Sequence, residues 1–321
     1  MEAGPGRITL WAIEIFVATA DEGSISAAAR RLGASPSTVS QQLTNLETAV
    51  GASLLLRNSR PVLLTPAGEI FLRRAKAIIA EAELARAELS QGDLSALTQF
   101  RLGVIEDFEA DVTPSLLSRM SGQLKDCQFL LETGASHTLI DQLEHRELDV
   151  IVAADTGERA DWMEVHPLIT ESFVGAAAKG VLDLSDDLAA QLKDLPLVQY
   201  TRRHHMGRQI DQHLVRNNLR LRRRFELDSY HAILALLGQR MGWTILTPLA
   251  LQRARRFAPD LDIFPLPFGP LSRTVSLTAR KDVLGNMPAE VAQNLKDLLQ
   301  TIIVTPTIRQ HPWMADELKL A

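Results

Sequence analysis

The chain has 321 residues, 46% hydrophobic and 23% charged, with a formal net charge of −5. That length sets an expectation of two or three units, and the composition excludes a disordered chain. No apolar run is long enough to span a bilayer, residues 1–10 lack the charged and apolar regions of a signal peptide, and the single Cys127 excludes an internal disulfide or a cysteine-built zinc site.

A cytoplasmic protein with no membrane partner is therefore expected. Residues 1–65 carry Arg7, Arg30, Arg31, Arg57 and Arg60 against Glu2, Glu14, Asp21, Glu22 and Glu47, so this segment is neutral. Leu10, Ile13, Phe16, Val17 and Ala20 recur at helical spacing and predict a first helix. Residues 23–51 then read as two short helices joined by a tight turn. Ser26 is placed to cap the first and Gly33 to make the turn, where a side chain would clash. Ser35 caps the second helix, and Pro36 takes its first position, where no backbone donor is lost. Val39, Leu43, Leu46 and Val50 form one buried stripe, while Ser37, Thr38, Gln41, Gln42, Thr44 and Asn45 occupy the other side.

This is the layout of a helix-turn-helix that presents hydrogen-bonding side chains to a DNA groove. Its reading face has no Lys or Arg, so base recognition is expected from the amides of Gln41, Gln42 and Asn45, from Ser37 and Thr38, and from Pro36 against a thymine methyl. Residues 54–64 predict a wing whose Arg57 and Arg60 are placed for phosphates or a narrow minor groove. The order WAIEIFVATADEGSISAAARRL, SPSTVSQQLTNLE, GASLLLRNSRPVLLTPAGE, running from Trp11 to Glu69, resembles the N-terminal winged helix-turn-helix of LysR-type transcriptional regulators. The resemblance implies a two-fold operator with a thymine-to-adenine dyad, double-stranded DNA as partner, and a homodimer assembled further into a dimer of dimers.

Thr65 and Pro66 open a long helix to about residue 91. Phe71, Ala75, Ile78, Ala82, Ala85 and Leu89 follow heptad-like steps, a dimerisation seam by the resemblance. Gln91, Gly92, Asp93 and Ser95 mark a hinge. From Phe100 the pattern becomes strands (100–105, 128–132, 149–154, 173–177, 197–200, 243–246, 262–266, 275–279) alternating with helices such as 114–124 and 139–146. That alternation predicts an α/β region with parallel sheets. By resemblance it is a two-lobe effector domain of the type 2 periplasmic-binding-protein fold, with crossings near Ile169 and Phe268. The expected organisation is 1–65 winged head, 66–92 linker helix, and 93–303 effector domain, with lobe I at 100–169 and 269–303 and lobe II at 170–268. Residues 304–321 form a tail without a readable role.

Ligands of open α/β sheets lie beyond the strand ends. That rule nominates Glu106, Asp107 and Phe108, then Ser136 and His137, and in lobe II Thr201, Arg202, Arg203, His205, Asp228, Ser229 and Thr247. The family often has Ser or Thr where Glu106 and Asp107 stand. Two acids there disfavour a simple carboxylate, and an effector with an amine group, or a zwitterion, is the expectation. The alternatives are a regulator without effector and a cytoplasmic small-molecule-binding protein. No HExxH, GxSxG or GxxxxGK[ST] occurs, and His204-His205 has no second cluster, so no enzyme activity, metal or cofactor is expected.

Overall fold

A computed structural model describes residues 7–57, 59–89, 97–125, 127–157 and 159–321, without the side chains of 83, 84 and 86–89. The Gln91, Gly92, Asp93 and Ser95 hinge lies outside these residues, as does the Leu89 side chain. Two compact units form. One holds Met1–Thr98 with Gln142–Leu148, and the other holds Gln99–Asp141 with Asp149–Ala321.

The first unit contains α1 (Leu10–Glu22), α2 (Ile25–Arg31), α3 (Pro36–Val50), the two-stranded wing β1 (Leu55–Leu56) and β2 (Leu63–Leu64), and α4 (Pro66–Leu89). Its core gathers Ile13, Ile15, Phe16, Ala29, Val39, Leu43, Leu46, Leu54 and Ala75. Ser24, not Ser26, caps α2: its Oγ accepts from the Ala27 backbone N–H, so that helix starts earlier than its alanine run suggests. Gly33 does make the turn, at φ +64°, but a Cβ there meets nothing within 4 Å. The left-handed backbone, rather than a clash, is what calls for glycine.

The second unit has two sheets. Lobe I contains β3 (Gln99–Val104), α5 (Glu106–Glu109), α6 (Thr113–Gln123), β4 (Gln128–Thr133), α7 (Ser136–Glu144), β5 (Val150–Ala154) and β6 (Met163–Ser172). Lobe II follows with β7 (Val174–Ala178), α8 (Leu188–Asp194), β8 (Leu197–Tyr200), α9 (His205–Arg216), β9 (Arg223–Leu227), α10 (Tyr230–Gly238), β10 (Trp243–Leu246), α11 (Pro248–Arg253) and β11 (Leu261–Pro265). The chain returns to lobe I through β12 (Ser272–Arg280) and α12 (Met287–Leu299), and ends in α13 (Thr305–Gln310) and β13 (Leu318–Leu320).

Strand orders are β13-β6-β12-β5-β3-β4 in lobe I and β11-β7-β10-β8-β9 in lobe II. The sheets are mixed, not parallel as the strand–helix alternation predicts. β3 runs parallel to β4 and β5, but β12 is antiparallel to both β5 and β6. The reversal follows from the two crossings: β6 leaves lobe I and β12 re-enters it, so their directions oppose. The tail is structural too. β13 pairs with β6, and Met314 is fully buried in the lobe II core.

Candidate functional site

The N-cap Ser35 is exposed, as are Pro36, Ser37, Thr38, Gln41, Thr44, Asn45 and Thr48 of α3, with Gln42 half-exposed. The Ser35 Oγ accepts from the Thr38 backbone N–H at 3.1 Å and lies 2.8 Å from the hydroxyls of Ser37 and Thr38, so capping and the exposed hydroxyls form one cluster. Gln41 Nε2 donates to Asn45 Oδ1 at 3.0 Å, one turn along the same face. That leaves the Gln41 Oε1 and the Asn45 Nδ2 as an adjacent acceptor and donor.

The two wing arginines differ. Arg57 donates to Thr44 Oγ1 at 3.0 Å and pairs with Glu47 Oε2 at 2.5 Å, while Glu47 Oε1 accepts from the backbone of Leu54 and Leu55. Arg57 thus ties the wing to α3, and its charge is already matched. Arg60 is exposed and has no acid partner among the described residues.

The heptad-like seam divides. Phe71 stacks edge-on against Phe16 with ring centroids 5.3 Å apart, and Ala75 is buried in the head's own core. Ile78 and Ala85 are exposed and Ala82 is half-exposed. The first two seam positions are therefore used within the chain, because α4 packs its opening turns on α1.

In the second unit the nominated acids are not unopposed. Glu106 pairs with Arg253 of α11 at 2.6 Å, and Asp107 pairs with Arg273 of β12 at 2.6 Å. Arg273 also meets Glu171 of β6, its register partner across the crossing strands, at 2.7 Å. Its NH2 group donates to Thr247 Oγ1 at 3.3 Å, and Glu171 Oε2 accepts from the Leu249 backbone N–H at 2.9 Å. Asp107, Glu171 and Arg273 are buried. One guanidinium thereby joins α5 of lobe I, both crossing strands and the N-terminus of α11 in lobe II.

Burial pushes the Glu171 carboxyl up, against the lowering effect of Arg273. Burial alone would lower the Arg273 guanidinium, but Glu171 and then Asp107 raise it further, so it stays charged. The Tyr200 hydroxyl is pushed up by burial and then by Glu106 and Asp107.

Between the lobes, a cavity of about 70 Å³ is walled by Glu106, Asp107, Ser136, Tyr200, His205 and Tyr230 among others. The chain's only two tyrosines stack there, centroids 4.6 Å apart. A wider cleft of about 650 Å³ adjoins it, sharing His205, Gln209 and Arg273. His205 Nε2 and Gln209 Oε1 are buried without a hydrogen-bond partner among the described residues. His205 is held below the ordinary histidine range by burial, then by Arg208, Arg273 and His137, which favours the neutral ring.

Other nominated residues fall elsewhere. Phe108 is core, with no exposure. His137, Arg202, Asp228, Ser229 and Thr201 do not line the cavity. The Thr201 hydroxyl and Arg202 are both engaged by Glu226. Ser136 does wall the cavity, with its Oγ accepting from the Ala154 backbone N–H, whereas Thr247 caps α11 outside the lining. Reading strand ends missed Glu171, Arg253 and Arg273, because two of them sit on crossing strands. The Arg–Glu match appears only once the β6–β12 register is known. Among the described residues no group of His, Cys, Asp and Glu is arranged to hold a metal ion, and no helix is long and apolar enough to cross a membrane.

Comparison with known proteins agrees with this geometry. Residues 10–69 match the bacterial regulatory helix-turn-helix model of the lysR family, and residues 96–300 match the LysR substrate binding domain. PcaQ, an HTH-type transcriptional regulator of Agrobacterium fabrum, is 27% identical over 88% of this chain and 92% of its own. A probable hydrogen peroxide-inducible genes activator of Mycobacterium avium is 30% identical over 59% of this chain and 61% of its own. A cysteine-mutant OxyR of Corynebacterium glutamicum is 26% identical, with a TM-score of 0.61 over 93% of this chain and 94% of that one. The fold and site define a DNA-binding transcriptional regulator with an effector-binding domain. The chain belongs to the LysR family.

Proposed function

We propose that α3 reads an operator through Ser35, Pro36, Ser37, Thr38, Gln41, Gln42 and Asn45, with Arg60 on phosphate, and that a small cationic or zwitterionic molecule between the lobes modulates that binding. The remaining acceptor and donor of the Gln41–Asn45 pair suit the N6 and N7 edge of adenine, which supports A·T-leaning recognition. Arg57 acts by holding the wing. The protein works as a homodimer joined through the exposed part of the α4 seam, Ile78, Ala82 and Ala85, with Leu89 beyond it. A dimer of dimers and a cytoplasmic location accord with the family.

One observation carries the effector reading. The interlobe site sets three carboxylates, Glu106, Asp107 and Glu171, against two guanidiniums, Arg253 and Arg273. The unpartnered Gln209 Oε1 adds an acceptor beside them, and His205 Nε2 adds a second when the ring carries its proton on Nδ1. An ammonium group brings the missing positive charge and three donors. The 70 Å³ cavity takes such a head group, and the wider cleft takes the rest of the molecule.

The sole cysteine, Cys127, leaves no second thiol among these residues for an intrachain disulfide switch. Thermal shift with matched amines, amino acids and dicarboxylates tests the reading: amines stabilise the protein, and Asp107→Asn abolishes the response. Stabilisation by dicarboxylates alone, unchanged in Asp107→Asn, would overturn it. No response to any class, with operator binding intact, would favour a regulator without effector.

A further inference from the structure

Residues 202–224 concentrate positive charge in a chain whose balance is negative. This segment holds eight arginines (Arg202, Arg203, Arg208, Arg216, Arg220, Arg222, Arg223, Arg224) against one acid, Asp211, whereas the whole chain carries −5. The fold collects them at one border of lobe II. β9 is the edge strand of its sheet, beside β8. Arg223 of β9 pairs with Asp211 of α9 at 2.5 Å, and Arg202 reaches Glu226 of β9 at 3.5 Å. Arg208 donates to the carbonyl oxygens of Arg202 and Arg203, which fastens the loop before α9 to the same surface.

All eight side chains belong to exposed residues. Only Arg202 and Arg223 have acid partners among the described residues; Arg224 lies over the Phe225 ring at 5.3 Å. Six guanidiniums without a counter-charge repel one another, and that repulsion is relieved by a polyanion. A charged edge also discourages strand pairing between chains, but one or two charges serve that purpose.

We infer that this border of lobe II, centred on Arg220, Arg222 and Arg224, binds the phosphate backbone of duplex DNA outside the sequence read by α3. The charge distribution favours this partner. The DNA-reading head is neutral over residues 1–65 and its recognition helix exposes no basic side chain, so it draws little affinity from phosphate. DNA already bound by the head is a polyanion tethered to lobe II by the same chain, which raises its effective concentration at a weakly binding surface. The contacts would be sequence-independent, since guanidiniums on phosphate position a duplex without reading it.

The test uses the full-length protein and two duplexes, the operator alone and the operator extended on both sides by non-operator sequence, titrated over a salt series. Wild type is expected to bind the extended duplex more tightly and with a steeper dependence on log[salt]. Arg220→Gln/Arg222→Gln/Arg224→Gln should leave affinity for the short operator unchanged and flatten the slope on the extended one by about 2.7, at about 0.9 per lost phosphate contact. A photo-crosslinker at position 222 should label the flanking strand. Retention of the full flank-dependent increment by the triple variant would overturn the inference. So would a change of oligomeric state with no change in flank dependence, which would assign the surface to a second copy of the chain. Unchanged circular dichroism and short-operator binding serve as the control for folding.

Discussion

Replacing Arg273 by Met removes the one cation that separates two buried acids. Its NH2 group lies 2.6 Å from Asp107 and 2.7 Å from Glu171, so without it the two carboxylates face each other about 5 Å apart. At an effective dielectric of about 20, that repulsion is about 3 kcal/mol. Breaking a buried pair by deleting one partner is destabilising by about 3–5 kcal/mol in total. The expected loss in urea unfolding at pH 8 is of that size, and it should shrink on acidification. The sign follows from Glu171, whose folded pKa is already raised by burial. A raised carboxyl contributes stability that is fully present below its unfolded value and is lost as pH rises through the folded value. Without Arg273 the folded value rises further, so the declining limb moves to higher pH. Asp107→Asn/Glu171→Gln/Arg273→Met, which removes all three charges, should recover most of the loss. A loss below about 1 kcal/mol that stays flat with pH would refute the claim that this cluster joins the lobes.

His205, His213, His231 and His311 are all held below the ordinary histidine value of 6.5, each chiefly by burial. Their contribution is present above 6.5 and lost as pH falls, so the urea midpoint should drop between pH 7.5 and 5.5, and His213→Asn should flatten that drop. Glu47→Ala removes the acceptor for Leu54, Leu55 and Arg57, and should lower unfolding free energy by about 1.5–3 kcal/mol, measured by denaturant melts of the full chain. Gln41→Ala should reduce operator preference over scrambled DNA by about 1–3 kcal/mol in competition titrations, leaving scrambled binding unchanged. Ile78→Asp, on an exposed position of α4, should instead lower affinity for every sequence and shift sedimentation toward the monomer.

The helix-turn-helix was legible because its information is local. Ser35, Pro36, Gly33 and the Val39–Leu43–Leu46 stripe each report backbone geometry within a few residues. Strands such as Leu197–Tyr200 and Trp243–Leu246 were readable as short apolar runs. β6, β9 and β13 were not, since β6 carries Glu164, His166 and Glu171, β9 carries Arg223, Arg224 and Glu226 among its five residues, and β13 is held by pairing with β6. The same limit hid the centre of the candidate site. Glu106 and Asp107 were visible as acids after a strand, but their charges are set by Arg253 and Arg273, 147 and 166 residues further along the chain. A sequence shows an ionisable group; only topology shows what neutralises it.

That placement bears on how a ligand can act on this molecule. Glu106–Arg253 and Asp107–Arg273 each join α5 to a residue on another element, and a third pair, Asp111–Arg255 at 3.7 Å, extends the row. The ammonium-bearing ligand proposed above would compete with these guanidiniums for Asp107 and Glu106, so its binding would differ between an arrangement with the pairs made and one with them open. Such a differential is what a ligand needs in order to shift an equilibrium between two arrangements. An uncharged ligand of the same shape fills the cavity without competing for either acid, and it lacks that leverage. On the effector reading proposed above, ligand charge would matter more than ligand size, and Arg273, through its shared bonds to Asp107 and Glu171, is the residue on which that coupling would turn.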